Sequence, residues 1–98
     1  MIKIKNLKNE RPNNPWDFKI DRSTPVGNPF VLTSGSTRED VCRLYEQYFK
    51  LLLSKSRVSS YLSKLVAAYK QHGKLNLFCW CAPKRCHGET IKKWILKQ

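Results

Sequence analysis

The stretch "LNLFCWCAPKRCHGETIKKWILKQ", residues 75–98, decides the fold. "LNLFC" reads as a short apolar strand. "ETIKKWIL" reads as a helix with Ile91, Trp94 and Ile95 on one face. A strand that is apolar at nearly every position is the kind that lies inside a sheet with helices covering it. Between strand and helix, three of the four cysteines and one of the two histidines fall within nine residues. The unit is a βα turn with unusual chemistry in it.

Upstream of this unit lie two helical patterns. Val58, Tyr61, Leu62, Leu65, Val66 and Tyr69 recur at helical spacing, and Gly73 is placed to end that helix. Before it, Val41, Leu44, Tyr45, Tyr48, Leu51 and Leu52 mark a helix running to about Leu53, with Cys42 one position off the stripe. Its start is signalled by Ser36 with Glu39, or Thr37 with Asp40, at capping-box spacing.

The N-terminal part is less regular. Ile2 and Ile4 alternate with Lys3 and Lys5, as in a half-buried strand. "NERPNNPWDF" is loop, "FKI" is a candidate short strand, and "DRSTPVGNPFVL" is irregular up to a short buried strand expected at Phe30–Leu32. The order strand, loop, short strand, helix, helix, strand, helix predicts one small α/β domain over residues 1–98.

Ninety-eight residues suffice for a single domain with a modest core. Nothing reads as a secretory signal or a membrane span. The expected compartment is the cytoplasm, where four cysteines read as thiols or metal ligands before they read as disulfides. The formal charge is +12, and from Gln47 onward eleven Lys or Arg face Glu89 alone, leaving +10 on that half. Such a field attracts polyanions, or it simply keeps a small protein solvated.

The cysteine loop admits four readings. Cys79, Cys81, Cys86 and His87 could supply a tetrahedral zinc site, but C-x-C and an adjacent Cys-His lack the usual turn between ligands. No cofactor is therefore expected. The loop could instead bind an anion, with Lys84 and Arg85 adding charge to the start of the last helix and Gly88 allowing close approach. Cys86, beside Arg85 and His87 and ahead of a helix, could be an activated nucleophile with His87 as its partner. Finally, Cys79 could be buried structural sulfur, with Trp80 anchoring the loop in the core.

"GNPFVL", "REDVCRLYEQYF" and "LNLFCWCAPKRCHGETI" together resemble an uncharacterised family of phage and bacterial genomes, domain of unknown function 4326. The resemblance covers roughly residues 20–96, leaving the strand and loop of residues 1–19 outside it. It rests on the GNPF turn of Gly27–Phe30 and on the Cys-x-Cys-x-Pro-x-x-Cys-His-Gly loop of Cys79–Gly88, with Arg22 as the basic residue before the turn. The C-terminal unit is also similar to a second uncharacterised family with a Cys-His-Arg loop, which implies a Rossmann-like α/β core. Neither resemblance supplies a reaction. A phage origin would place the protein in the host cell cytoplasm.

Asn28, held between Gly27 and Pro29, either caps its own loop or reads a ligand edge. If the GNPF turn and the Cys-His-Gly loop flank one crevice, Arg22, Asn28, Arg85, Cys86 and His87 line it. Lys92 and Lys93 then extend the basic surface along the last helix. The expected function is binding of a nucleotide or nucleic-acid phosphate in that crevice, with nucleotide or base chemistry at Cys86 or His87 left open. The alternative is a non-catalytic protein that docks nucleic acid, stacking bases on Trp80 or Trp94, or one that blocks an acidic host protein. The oligomeric state is not specified by the sequence.

Overall fold

A computed structural model describes residues 1–30, 35, 37–80 and 86–98. Within it the chain order is β1 (Ile2–Asn6), β2 (Asp17–Lys19), α1 (Arg38–Leu52), α2 (Ser56–His72), β3 (Leu75–Cys79) and α3 (Gly88–Leu96). The three strands form one parallel sheet in the order β1-β3-β2. This is the small α/β domain expected, with "LNLFC" at its centre.

The sheet is held by its middle strand. Leu75, Leu77, Phe78 and Cys79 are all buried. Of these, Leu75, Leu77 and Cys79 alternate onto one face and join the main core with Tyr45, Phe49, Leu62, Leu65, Ile91 and Ile95. Each such fully buried side chain contributes on the order of 1.5–3 kcal/mol of transfer free energy. β1 pairs with β3 from Ile2 opposite Leu75 to Asn6 opposite Cys79, and the ladder continues as Leu7 N–H donates to the Cys79 carbonyl at 2.8 Å.

The three-residue β2 is fixed from its start. Asp17 Oδ2 accepts from the backbone N–H groups of Asn13 and Asn14, and Asp17 Oδ1 accepts from Asn76 Nδ2 at 2.7 Å. Burial alone would raise the Asp17 carboxyl, but these hydrogen bonds outweigh it and hold it below the usual carboxylate range. One carboxylate thus closes the loop before β2 and ties β2 to the central strand.

Helix α1 opens on the Thr37–Asp40 capping box, each side chain accepting from the other's backbone N–H at 3.1 Å. Its buried face is Val41, Cys42, Tyr45, Phe49 and Leu52. Leu44 and Leu51, expected in the stripe, are 46% and 68% exposed. At about 100° per residue they lie well round the helix from Tyr45, and Cys42 and Phe49 take the inward positions. Helix α2 buries Val58, Leu62, Leu65 and Ala68 and ends at Gly73, whose φ of 71° is left-handed and whose N–H reaches the Tyr69 carbonyl. Phe30 is in no strand. The rest of the strand expected at Phe30–Leu32 lies outside the described residues, as do Cys81, Lys84 and Arg85.

Candidate functional site

All three strands are parallel, so their carboxyl ends, Asn6, Lys19 and Cys79, open on one edge of the sheet. That edge is where ligands collect in α/β folds. The segment leaving β2, residues 20–28, crosses it, and α3 begins beside it.

Residues 19–26 are held there by one side chain from each helical unit. Tyr61 of α2 donates its hydroxyl to the Lys19 carbonyl. His87, immediately before α3, donates Nε2–H to the Ile20 carbonyl. Tyr45 of α1 donates its hydroxyl to the Val26 carbonyl at 2.6 Å. The Tyr45 and His87 rings also meet edge-on, with centroids 4.9 Å apart. Burial raises both phenols, that of Tyr61 to about 12. Burial also pushes His87 below the ordinary histidine value, the Ile20 carbonyl and Asp21 opposing and Arg22 assisting. A carbonyl can only accept, so Nε2 carries a proton, and burial disfavours the charged ring.

The turn itself is closed from within. Arg22 Nε donates to the Asn28 carbonyl at 3.0 Å, and its Nη2 to the Phe30 carbonyl at 3.4 Å. Asn28 Oδ1 accepts from the Phe30 N–H at 2.9 Å, so the side-chain oxygen caps its own loop. Gly27 lies against the backbone it turns back upon. A Cβ there would stand 2.5 Å from both Arg22 Cα and the Asp21 carbonyl oxygen.

Asp21 joins this turn to the central strand. It accepts from the Ser23 N–H and hydroxyl and from Trp80 Nε1 at 3.2 Å. Burial raises its carboxyl, but the Ser23 and Trp80 hydrogen bonds and the Lys19 charge outweigh burial and lower it. Asn6 Nδ2 reaches the Trp80 carbonyl at 3.4 Å, so the end of β1 grips the same residue. Trp80 does not anchor the loop in the core. It is 54% exposed, because its indole N–H is satisfied at the surface by Asp21. Trp94, by contrast, is half-buried with its ring against Phe49.

The start of α3 is packed. Cys86 and His87 are buried, and Cys86 Sγ accepts from the Gly88 N–H at 3.3 Å and lies 3.3 Å from Cys79 Sγ. The Glu89 N–H is bonded to the Cys86 carbonyl. With the Thr90 N–H on the His87 carbonyl at 3.1 Å, three donors of the first turn are engaged within the chain. A Cβ on Gly88 would meet Ile20 Cδ1 at 2.8 Å and Ile4 Cδ1 at 3.3 Å, so this glycine lets the helix approach the sheet. Lys92 is half-buried and Lys93 exposed on α3.

The site residues thus divide. Arg22, Asn28 and His87 are brought to one edge of the sheet, with Cys86 and Gly88 beneath it, while Lys84 and Arg85 lie outside the described residues. Tyr45, Tyr61, Asp21 and Asn6 also build the edge, and the sequence reading missed them. Among the described residues, no group of three or more His, Cys, Asp or Glu could hold a metal ion. A cavity of about 320 Å³ lies on the flank, lined by Pro25, Ser56, Arg57, Ser60, Tyr61 and Lys64. None of its lining residues belongs to Gly27–Phe30 or to Cys86–Gly88. No helix among the described residues is long and apolar enough to cross a membrane.

The model of the family described as domain of unknown function DUF4326 matches residues 2–97, and the chain belongs to that family. The match takes in the N-terminal strand and loop that the motif resemblance left out. No curated protein and no solved structure matches the chain.

Proposed function

We propose that this DUF4326 member binds a phosphate-bearing ligand, a nucleotide or a nucleic-acid segment, at the carboxyl edge of its parallel sheet. The observation that carries the reading is the exposed Trp80 ring, held at this edge by its indole N–H on Asp21, the residue before Arg22. A guanidinium has five N–H groups, and two are engaged with turn carbonyls among the described residues, which leaves others for an anion. The exposed indole offers a face to a base, and the Arg22 fork offers N–H groups to a phosphate. The net +10 of the C-terminal half supplies the attracting field, with Lys84, Arg85, Lys92 and Lys93 as its nearest members in sequence.

The same geometry favours binding without chemistry on the bound ligand. His87 Nε2 is committed to the Ile20 carbonyl, and Cys86 lies under Gly88. Both residues position the edge. Asn28 does likewise through Oδ1, which leaves its Nδ2 as the group able to face a ligand.

The test is titration of labelled mononucleotides, single strands and duplexes with the wild type, Trp80→Ala and the double variant Lys92→Glu/Lys93→Glu. Loss of base stacking in Trp80→Ala should cost about 1–3 kcal/mol, and the double variant should weaken every nucleic-acid ligand alike. Absence of binding by the wild type at low salt would refute the proposal.

A further inference from the structure

We propose that Cys79 and Cys86 form a redox-active dithiol, in which a hydroperoxide oxidises Cys86 and Cys79 resolves the product as an intramolecular disulfide. The two sulfurs lie 3.3 Å apart and are not joined. A disulfide needs about 2.0 Å, so bond formation requires the sulfurs to close by little more than about 1 Å. Cys79 stands on the central strand, and Cys86 is held at the entry to α3 by the Gly88 N–H. Cys79 is the last residue of β3, and Cys86 precedes α3, seven positions on. Their approach therefore belongs to the fold of the βα unit.

The pair is asymmetric, which assigns the roles. Cys86 Sγ accepts the Gly88 N–H at the start of α3, where the helix carries partial positive charge. Both effects favour thiolate at that sulfur. Both cysteines are buried, and Cys86, 5% exposed against 1% for Cys79, is the less covered of the two. The Cys86 thiolate attacks one oxygen of the peroxide. The S–O bond forms, the O–O bond breaks, and the departing oxygen takes a proton to leave as an alcohol, or as water when the oxidant is hydrogen peroxide. Cys86 is then a sulfenic acid. The Cys79 sulfur attacks the Cys86 sulfur, the S–O bond breaks, and the hydroxide released takes the Cys79 proton to become a second product, water. Two thiols have lost two electrons and the peroxide has gained them.

The consequence is local. The bond would tie the end of β3 to the start of α3 beneath the carboxyl edge, across the segment that carries Lys84 and Arg85 in the sequence. The proposal is independent of what that edge binds.

The full chain, treated with hydrogen peroxide, is quenched by alkylation and digested with trypsin without reduction. Peptides 75–84 and 86–92 should then run as one linked species that dithiothreitol separates. The Cys81→Ser variant should keep the link, because Cys79 is then the one cysteine left in the first peptide. Cys79→Ser and Cys86→Ser should lose it, and Cys79→Ser should instead trap a dimedone-reactive sulfenic acid at Cys86. Four thiols that alkylate after peroxide as fully as before would overturn the proposal, as would a link that survives Cys79→Ser. Should Cys79→Ser fail to fold, the Cys81→Ser map alone decides: a linked pair supports the dithiol, and unlinked peptides refute it.

Discussion

His87 Nε2 lies 2.5 Å from the carbonyl oxygen of Ile20, a bond across 67 positions that fastens the start of α3 to the end of β2. It is one of three such ties, with Tyr45 on Val26 and Tyr61 on Lys19, and together they set the path of the 20–28 segment. The turn closed by Arg22 on Asn28 and the start of α3 at His87 are thereby held to the same segment. Their coupling runs through backbone carbonyls of the segment that joins β2 to the turn.

Removing a tie should cost stability. Tyr45→Phe keeps the ring and strands the buried Val26 carbonyl, with an expected loss of about 1–3 kcal/mol. His87→Ala should lose more, since a cavity opens beside Tyr45 as well. Urea unfolding of the two variants checks this, and a Tyr45→Phe midpoint equal to that of the wild type would show that the hydroxyl bond contributes nothing.

The depressed His87 value makes stability pH-dependent. The folded state binds this proton less readily than the unfolded chain, whose histidine titrates near 6.5. As pH falls through about 6.5 the unfolded state takes up the proton first, so stability is present above that value and declines below it. The decline should begin well before the acid range where Asp17 and Asp21, both held below the ordinary aspartate value of 3.8, add their own losses. Unfolding free energies measured from pH 7.5 to 5.5 should fall in the wild type and stay level in His87→Gln.

The two site glycines should respond differently to alanine. At Gly27 the new Cβ meets backbone at 2.5 Å, so the turn must move, and overpacking of this kind costs about 1–3 kcal/mol. At Gly88 the closest atom, at 2.8 Å, is the tip of the Ile20 side chain, which can rotate away. Thermal melts should therefore rank Gly27→Ala as the more damaging change. The reverse order would mean that the turn yields more readily than the helix–sheet contact.

The fold was legible where one local rule governs a residue. β3 declared itself by its apolar run, α2 by its stripe and by Gly73, and α1 by the Thr37–Asp40 box. The face of α1 was less legible, because Leu44 and Leu51 are as apolar as the residues that win burial, and only packing against the sheet separates them. The site was harder to read for a related reason. Tyr45 and Tyr61 fit a hydrophobic stripe whatever their hydroxyls do, and carbonyls 19 and 42 positions away leave no mark at helical spacing. Gly88 suggested room for a ligand because a sequence does not show that Ile4 and Ile20 fill the space. Trp80 suggested an anchor because its satisfied indole depends on Asp21, 59 residues earlier.

The salt dependence of nucleic-acid affinity tests the binding proposal most directly. If Lys84, Arg85, Lys92 and Lys93 neutralise about four phosphates, the logarithm of affinity should fall against the logarithm of salt with a slope of roughly −3 to −4. Lys92→Glu/Lys93→Glu should flatten that slope by roughly two while leaving the fold intact, since Ile91 and Ile95 carry the buried face of α3. Arg85→Ala should weaken binding further than either lysine change alone, because a planar fork is lost with the charge. A slope near zero would contradict the nucleic-acid contacts, and no binding of any oligonucleotide or mononucleotide at low salt would contradict a phosphate site at this edge of the sheet.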